Sequence, residues 1–236
     1  MRRATTQNPG DQTDVASGNG RTLAASVFGS IRNDILEMRL LPGAKLRSDD
    51  LKAMYDTGTS PLREALSRLA EEGLVTSEDQ RGFRVTPMTP SDYVDLTNLR
   101  RKVEILAVTN AIENGTDAWE SALVGAFHHL FLAKTVSSGF PDEWAHRHSL
   151  FHEALVSACV SPRLLRIRRQ LFEHFMRYQR IVPSDSINKS VLDVKNRHKE
   201  IMEAVLSRDI EKTAFLVGAH IQVVDVIMDA LRGPVV

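Results

Sequence analysis

Four histidines carry the clearest chemical potential in this 236-residue chain. His148 and His152 are four residues apart, and Leu155 continues the same helical face three residues later. His198 shares a face with Val194, Ile201 and Val205, and His220 shares one with Leu216 and Val223. A neutral imidazole on an inward helix face is available to a divalent ion, and a four-residue step lets two of them reach the same ion. The alternative is a set of hydrogen-bonded core imidazoles. Each would then need its own buried partner, at a cost of ~1–3 kcal/mol where none exists. The other four histidines do not fit the pattern. His128 and His129 are adjacent and diverge on a helix, and His146 and His174 lie outside the apolar stripes.

A second group of residues has the types and spacing of a DNA-reading surface. Thr59, Ser60 and Arg63 open a helix that follows a short helix and the turn Asp56-Thr57-Gly58. The second helix of such a pair enters the major groove and presents its first residues to base edges. Its free N–H groups favour a phosphate, and an arginine there can pair bidentately with guanine. Gln80, Arg81 and Gly82 form the tip of a following hairpin, where Gly82 allows close approach to a sugar–phosphate backbone and Arg81 suits a phosphate or minor groove. Lys45 and Arg47 complete the candidate contacts, with Lys52 and Arg84 as further cations. Residues 21–87 hold ten Lys/Arg and ten Asp/Glu, so affinity for DNA must come from local placement.

The elements that position these residues follow from apolar periodicity. Val27, Ile31, Ile35 and Met38 give a first helix, stopped by Leu41-Pro42-Gly43. Ser48 is the expected N-cap of a short helix carrying Leu51 and Met54. The next helix buries Leu62, Ala65, Leu66 and Leu69 and closes at Gly73. Residues 74–77 and 83–86 are expected as the two strands of a hairpin. Beyond Pro87-Met88-Thr89-Pro90, residues 91–113, 117–136, 142–159, 162–181, 186–207 and 209–231 are all amphipathic helices with short breaks, hence an antiparallel bundle. The expected fold is mostly α: a winged helix-turn-helix followed by an all-helical bundle. The expected divisions are a disordered polar arm at 1–20, a DNA-binding domain at 21–87, a linker at 88–92 and a helical domain at 93–232.

Two stretches of motif carry a family resemblance. Leu41-Pro42-Gly43, Ser60-Pro61-Leu62-Arg63-Glu64-Ala65-Leu66, Glu72-Gly73-Leu74-Val75 and Arg81-Gly82-Phe83-Arg84-Val85 resemble the GntR superfamily of bacterial transcription regulators over residues 24–86. The resemblance implies that Arg63 and the helix-start residues contact an operator and that the wing glycine lies in the minor groove. Thr59 stands where many relatives carry Arg, which bears on the operator sequence rather than on DNA binding. Residues 91–231 are similar to the effector-binding domain of the FadR branch, the FCD domain. Its marks are Arg100-x-x-x-Glu104, Phe151-His152, His198-x-x-Ile201 and His220-Ile221. In that family an Asp and three His hold a divalent metal, often zinc or nickel, and a small carboxylate effector completes its coordination. His152, His198 and His220 match the three histidines, and His148 falls where the Asp stands. The run Arg147-His148-Ser149-Leu150-Phe151-His152 most resembles the carbon-starvation or glutarate-responsive repressor subgroup.

Replacing that Asp by His removes one negative charge from the ligand set, so a bound divalent ion would keep its full charge and attract an anion more strongly. The competing outcome is a metal-free pocket whose imidazoles bind the carboxylate directly. Arg100 is the candidate for the far end of a dicarboxylate, since a guanidinium matches a carboxylate bidentately. Its bland alternative is an i,i+4 ion pair with Glu104, worth a few tenths of a kcal/mol. Arg177 and Tyr178 are further candidates for the same wall.

Composition narrows the remaining classes. Lys+Arg and Asp+Glu are both 30, which excludes a polybasic coat for nucleic acid or membranes. The one cysteine, Cys159, excludes a disulfide framework. No secretory signal is recognisable, and no apolar run is expected to reach the ~18 residues of a membrane span. A cytoplasmic, homodimeric regulator reading a palindrome in double-stranded DNA is therefore expected. Two other readings are a metal-dependent enzyme, with Glu153 offered as a base, and a metal sensor. Glu153 points about 100° away from His152 on a helix, and no nucleophile motif or phosphate loop accompanies it.

Overall fold

The computed structural model describes residues 15–78, 82–133, 142–181, 191–222 and 224–232. The chain divides into two compact units, Met1–Pro87 and Met88–Val236. In the first unit, α1 (Val15–Leu36), β1 (Lys45–Leu46), α2 (Ser48–Met54), α3 (Thr59–Glu71), β2 (Val75–Glu78) and β3 (Gly82–Val85) follow in order. The second unit holds α4 (Pro90–Asn114), α5 (Asp117–Leu132), α6 (Asp142–Val156), α7 (Pro162–Gln179), α8 (Val191–Leu206), α9 (Ile210–His220) and α10 (Asp225–Arg232). This is the mostly helical architecture expected, with a winged helix-turn-helix and a helical bundle.

The core of the first unit is made by the predicted periodicity. Val27, Ile31 and Ile35 of α1 pack on Leu62, Leu66 and Leu69 of α3 and on Leu74, Val75 and Val85 of the sheet. The sheet has the antiparallel order β1-β3-β2, with Lys45 opposite Arg84 and Val75 opposite Val85. Strand β1, only two residues long, gave no alternation to find in the sequence.

Several boundaries differ from expectation for local reasons. α1 begins at Val15, so residues 15–20 are helical rather than part of a disordered arm; residues 1–14 lie outside those described. Met38, expected as the last apolar position of α1, takes a left-handed conformation (φ 63°) just beyond the helix. The N-cap of α2 is Arg47, and Ser48 is already helical. Met54 is exposed rather than inward. The expected linker at 88–92 is cut short because α4 starts at Pro90. Thr89 Oγ1 accepts the Asp92 N–H (3.2 Å), and proline is favoured as the first helical residue.

The last expected helix, 209–231, is two helices. The intervening Ile221-Gln222-Val223-Val224 is rich in β-branched residues, which resist helix, and the Val224 N–H donates to the Tyr93 hydroxyl (3.2 Å) instead. Ile210–Arg232 is, contrary to expectation, long and apolar enough by composition to cross a membrane (mean hydropathy 1.6). It is interrupted in this way, and Thr213 and Val217 are buried in the bundle.

The helical unit is built around α4, which packs against α6, α7 and α9. Side chains also close its C-terminal end. Arg208, at the turn before α9, donates to the carbonyls of Ile112 (2.6 Å) and Gly115 (3.0 Å) and pairs with Glu120. Trp119 lies over Gly115 and is pinned by an Nε1 hydrogen bond to the Ala154 carbonyl (2.9 Å). A Cβ on Gly115 would stand 2.0 Å from the indole and 2.9 Å from the Ala111 carbonyl oxygen. Gly115→Ala is therefore expected to destabilise the helical unit by about 1–3 kcal/mol, read as a lower melting temperature with the fold retained. An unchanged melting temperature would show that the indole can move.

Candidate functional site

In the first unit, Gly58 caps α3 and leaves Thr59, Ser60 and Arg63 exposed at its start. Pro61 fits there because the first turn has no intrahelical partner for its missing N–H. Lys45 and Arg47 are exposed at β1, and together with Gly82 they line an open depression of about 540 Å³ that also includes Ser48, Asp49 and Asp50. Gly82 has φ 89°, a backbone that side-chain-bearing residues rarely adopt. Gln80 and Arg81 lie outside the described residues. Lys52 is paired with Asp49 (2.8 Å), and Arg84 donates to the Gly43 carbonyl, so both have structural work of their own.

In the second unit, the four predicted histidines meet. His148 and His152 come from α6, His198 from α8 and His220 from the last turn of α9. One ring nitrogen from each lies within 4.8 Å of all the others. Nε2 of His152 is 3.1 Å from Nε2 of His148 and 3.3 Å from Nε2 of His198. Ligand nitrogens at about 2.0–2.1 Å from one tetrahedral zinc stand roughly 3.3–3.4 Å apart, and these two separations are close to that spacing.

Two ring nitrogens lack the partner that an ordinary core histidine finds: the Nδ1 atoms of His148 and His152 are buried without a hydrogen-bond partner. The Nε2 atoms of His148 and His198 both approach that of His152. His152 Nε2 presents either one proton or one lone pair. It can therefore make one ordinary hydrogen bond, to one of its two neighbours.

Burial, then mutual repulsion and nearby guanidiniums, push the basicity of His148 and His152 well below the ordinary histidine value. His220 is lowered too, by burial first and then by His198 and Arg100. Neutral rings with free lone pairs are the form a metal ligand requires.

Arg100 is 3 % exposed. Its guanidinium carbon sits 4.2 Å from the Phe175 ring centroid and 4.9 Å from that of Phe172. Among the described residues it makes no hydrogen bond, and its Nε is buried without a partner. Burial lowers its pKa to about 10, which still leaves it charged at neutral pH. Phe172 is shared with the cluster, its centroid being 5.5 Å from that of His152. The local ion pair with Glu104 does not form as a hydrogen bond, because Arg168 takes that carboxylate from across the bundle (2.8–3.1 Å).

Arg177 and Tyr178 do not belong to the histidine wall. Tyr178 lies ten residues beyond Arg168, about 15 Å along the helix. Its hydroxyl donates to Asp92 Oδ2 and its ring packs on Tyr93 (5.0 Å). Arg177 is buried at the same end, within the electrostatic reach of Tyr178 and Asp92. The residue that sequence reasoning missed is Arg168. It lies on the same face of α7 as Phe172 and Phe175, which was the available signal. Of the remaining histidines, His128, His129 and His146 are exposed and His174 is not part of the cluster.

A helix-turn-helix with a wing, followed in the chain by a helical unit that buries a histidine cluster, is the architecture of a regulator that binds DNA. Residues 23–85 match the gntR family of bacterial regulatory proteins and residues 95–223 match the FCD domain; the chain belongs to this family. It is 34 % identical to a transcriptional regulator of the helix-turn-helix type, BphR from Paraburkholderia xenovorans, over 90 % of this chain and 87 % of that one. It is 35 % identical to the transcriptional repressor GlaR of Escherichia coli, over 86 % of this chain and 94 % of the relative. A GntR regulator from Rhodococcus sp. RHA1 of known structure superposes with a TM-score of 0.68 at 25 % identity, covering 90 % of this chain and 99 % of that one. The protein is thus a DNA-binding transcription regulator with an FCD effector-binding domain, and not an enzyme.

The lowered histidine basicities fix the sign of a pH dependence. Above the ordinary value of 6.5 the imidazoles are neutral whether the chain is folded or not. Below it the unfolded chain takes up protons that the folded chain refuses. Stability is therefore lost as the pH falls, by up to about 1.4 kcal/mol per pH unit for each such histidine, until its folded-state pKa is reached. The melting temperature of metal-free protein is expected to fall between pH 7 and pH 5. A melting temperature that rises over this interval would contradict the buried, neutral cluster.

Proposed function

We propose that this regulator is a cytoplasmic, homodimeric repressor whose hold on operator DNA is set by a small carboxylate bound in the helical unit. His148, His152, His198 and His220 would hold a divalent metal, zinc or nickel, which supplies a cationic centre for one carboxylate. Arg100 would take the other end of a dicarboxylate. The observation that carries this reading is the pairing of four converging imidazoles with a buried guanidinium that has no hydrogen-bond partner among the described residues. A buried charge without a partner is costly, and an anion is what relieves it. The GlaR relative is named a repressor, which supports the sign of regulation. The His148 substitution supports the glutarate-responsive subgroup and a dicarboxylate over a neutral ligand.

A physical route leads from the chamber to the start of α4, where the chain enters the helical unit. The Phe175 ring that carries Arg100 also packs on Tyr93 (6.0 Å). Tyr93 packs on Tyr178, which holds Asp92 beside the Thr89 cap. Tyr93 also receives the Val224 N–H, four residues beyond His220. Occupancy at either Arg100 or His220 therefore bears on Tyr93. Such coupling changes DNA affinity only if the effector binds the two arrangements of the protein with different affinity.

The dimer is supported by exposed apolar side chains on adjacent helices, Leu99 and Leu106 on α4 and Phe215 (74 % exposed) on α9. A second copy would cover them, and sedimentation equilibrium showing a monomer at micromolar concentration would remove this part.

Two substitutions separate the halves of the function. Arg63→Ala is expected to weaken binding by roughly 10–100-fold, the worth of one bidentate base contact, on duplexes that the wild type selects from a randomised pool. Ligand-induced thermal stabilisation should be unaffected. Arg100→Met is expected to keep DNA binding and lose the thermal stabilisation by a panel of four- to six-carbon dicarboxylates in the presence of zinc or nickel. Undiminished stabilisation of Arg100→Met would overturn the assignment of Arg100. A wild type that none of these acids stabilises would overturn the effector class.

A further inference from the structure

Glu104 is buried in the same interior and has no place in the assignments above. It is held from three sides of one guanidinium: Arg168 Nε lies 3.1 and 3.0 Å from its two oxygens, and Nη2 lies 2.8 Å from Oε1. The same Nη2 donates to the backbone carbonyl of His152 (2.8 Å). One side chain on α7 thereby fixes both a carboxylate on α4 and the main chain of a histidine on α6. Glu104 Oε1 stands 4.0 Å from His152 Nδ1, with both side chains almost fully buried. That distance is about 1 Å longer than a hydrogen bond, and Nδ1 has no other partner. A carboxylate has about four acceptor sites, so the clamp by Arg168 leaves capacity for another donor.

The other nitrogen of His152 faces the opposite way, toward His148 and His198. For Nε2 to offer a lone pair there, the ring proton must sit on Nδ1. We propose that Glu104, anchored by Arg168, is a positioning residue for His152. Its Oε1 would accept a hydrogen bond from His152 Nδ1–H as the ring settles on an ion, fixing the tautomer that leaves Nε2 free and making the ring a better donor to the metal. His152 is the histidine whose Nε2 lies between those of its neighbours, so fixing this ring orients the set. The inference rests on the reading of the cluster as a metal site.

The test uses the full-length protein, with zinc affinity measured by competition against a chromophoric chelator. Glu104→Gln keeps the shape and removes the charge, and it is expected to weaken zinc binding by ~10–100-fold. The double variant E104Q/R168M removes both buried charges together, the change such interiors tolerate best, and it is expected to show the same loss. A readout on the wild type needs no variant. In the zinc-loaded protein, long-range proton–nitrogen correlation should show His152 protonated at Nδ1, with a low-field proton that moves in E104Q. His152 protonated at Nε2, or wild-type zinc affinity in either variant, overturns the role of Glu104 while leaving the metal site standing. A wild type that takes up no zinc, nickel or cobalt overturns both.

Discussion

The helical unit is organised around an imbalance of buried charge. Arg100 and Arg168 are each 3 % exposed, Glu104 is fully buried, and the adjoining histidines are held neutral by the same burial. Two guanidiniums therefore face one carboxylate, and its hydrogen bonds go to Arg168 while Arg100 feels only its charge. Isolated charge in a dry interior is among the most expensive features a fold can carry. Cation–π contact with Phe172 and Phe175 offsets part of the cost for Arg100, at about 2 kcal/mol or more for a desolvated pair, but it supplies no acceptor. This interior therefore carries more buried positive than negative charge before any metal is considered. A divalent ion on the histidines would increase the excess, so the two occupants would favour each other's binding reciprocally.

The same residues explain how a small ligand could have a mechanical effect. The buried polar cluster draws on α4, α6, α7, α8 and α9, and three of its anchors lie on different elements: Glu104 on α4, Arg168 on α7 and the His152 carbonyl on α6. Arg100 is in contact with the Phe175 ring, and Phe175 is one wall of the aromatic group around Tyr93. That group ends at Asp92 and Thr89, in the first turn of α4. Packed interiors pass displacements on because they contain few voids to absorb them. The position of this aromatic group, at the entry to the helical unit, makes it the part of the unit best placed to inform the preceding domain.

What could be read from the residues alone depended on whether the signal was local. Helical periodicity places a side chain on a face, and His148, His152, His198 and His220 each broke an apolar stripe, so their convergence was foreseeable. Arg63 and Thr59 were equally legible, because a helix start after a turn is a local pattern. The partner of Glu104 was hidden for the same reason. Its neighbour in sequence, four residues away, is Arg100, while its partner in space is 64 residues away. Arg168 was hidden among the many arginines of α7, since only a tertiary contact distinguishes the one that meets Glu104. Tyr178 and Arg177 were drawn to the wrong end of the bundle because a face does not specify a height along the helix. The interruption at 221–224 was overlooked because an apolar run satisfies helical and non-helical templates alike.

The two domains also differ in how their function is written into charge. The DNA-reading unit is balanced in acid and base over residues 21–87, so it has no general attraction to a polyanion beyond what a few exposed cations provide. Lys45 and Arg47 share their depression with Asp49 and Asp50, acids that repel a phosphate wherever the fit is poor. Non-specific affinity grows with the number of phosphates neutralised, and this surface neutralises few. Discrimination must then come from base contacts at the start of α3, where Thr59 and Ser60 are short and Arg63 is long. If two copies read a palindrome together, as proposed, weak background affinity would make each depend on the other, and a change in the spacing of the two heads would loosen both. Sparse charge at the front of the chain would then make binding easy to undo, and the unbalanced charge in its interior would supply the place where an anion acts.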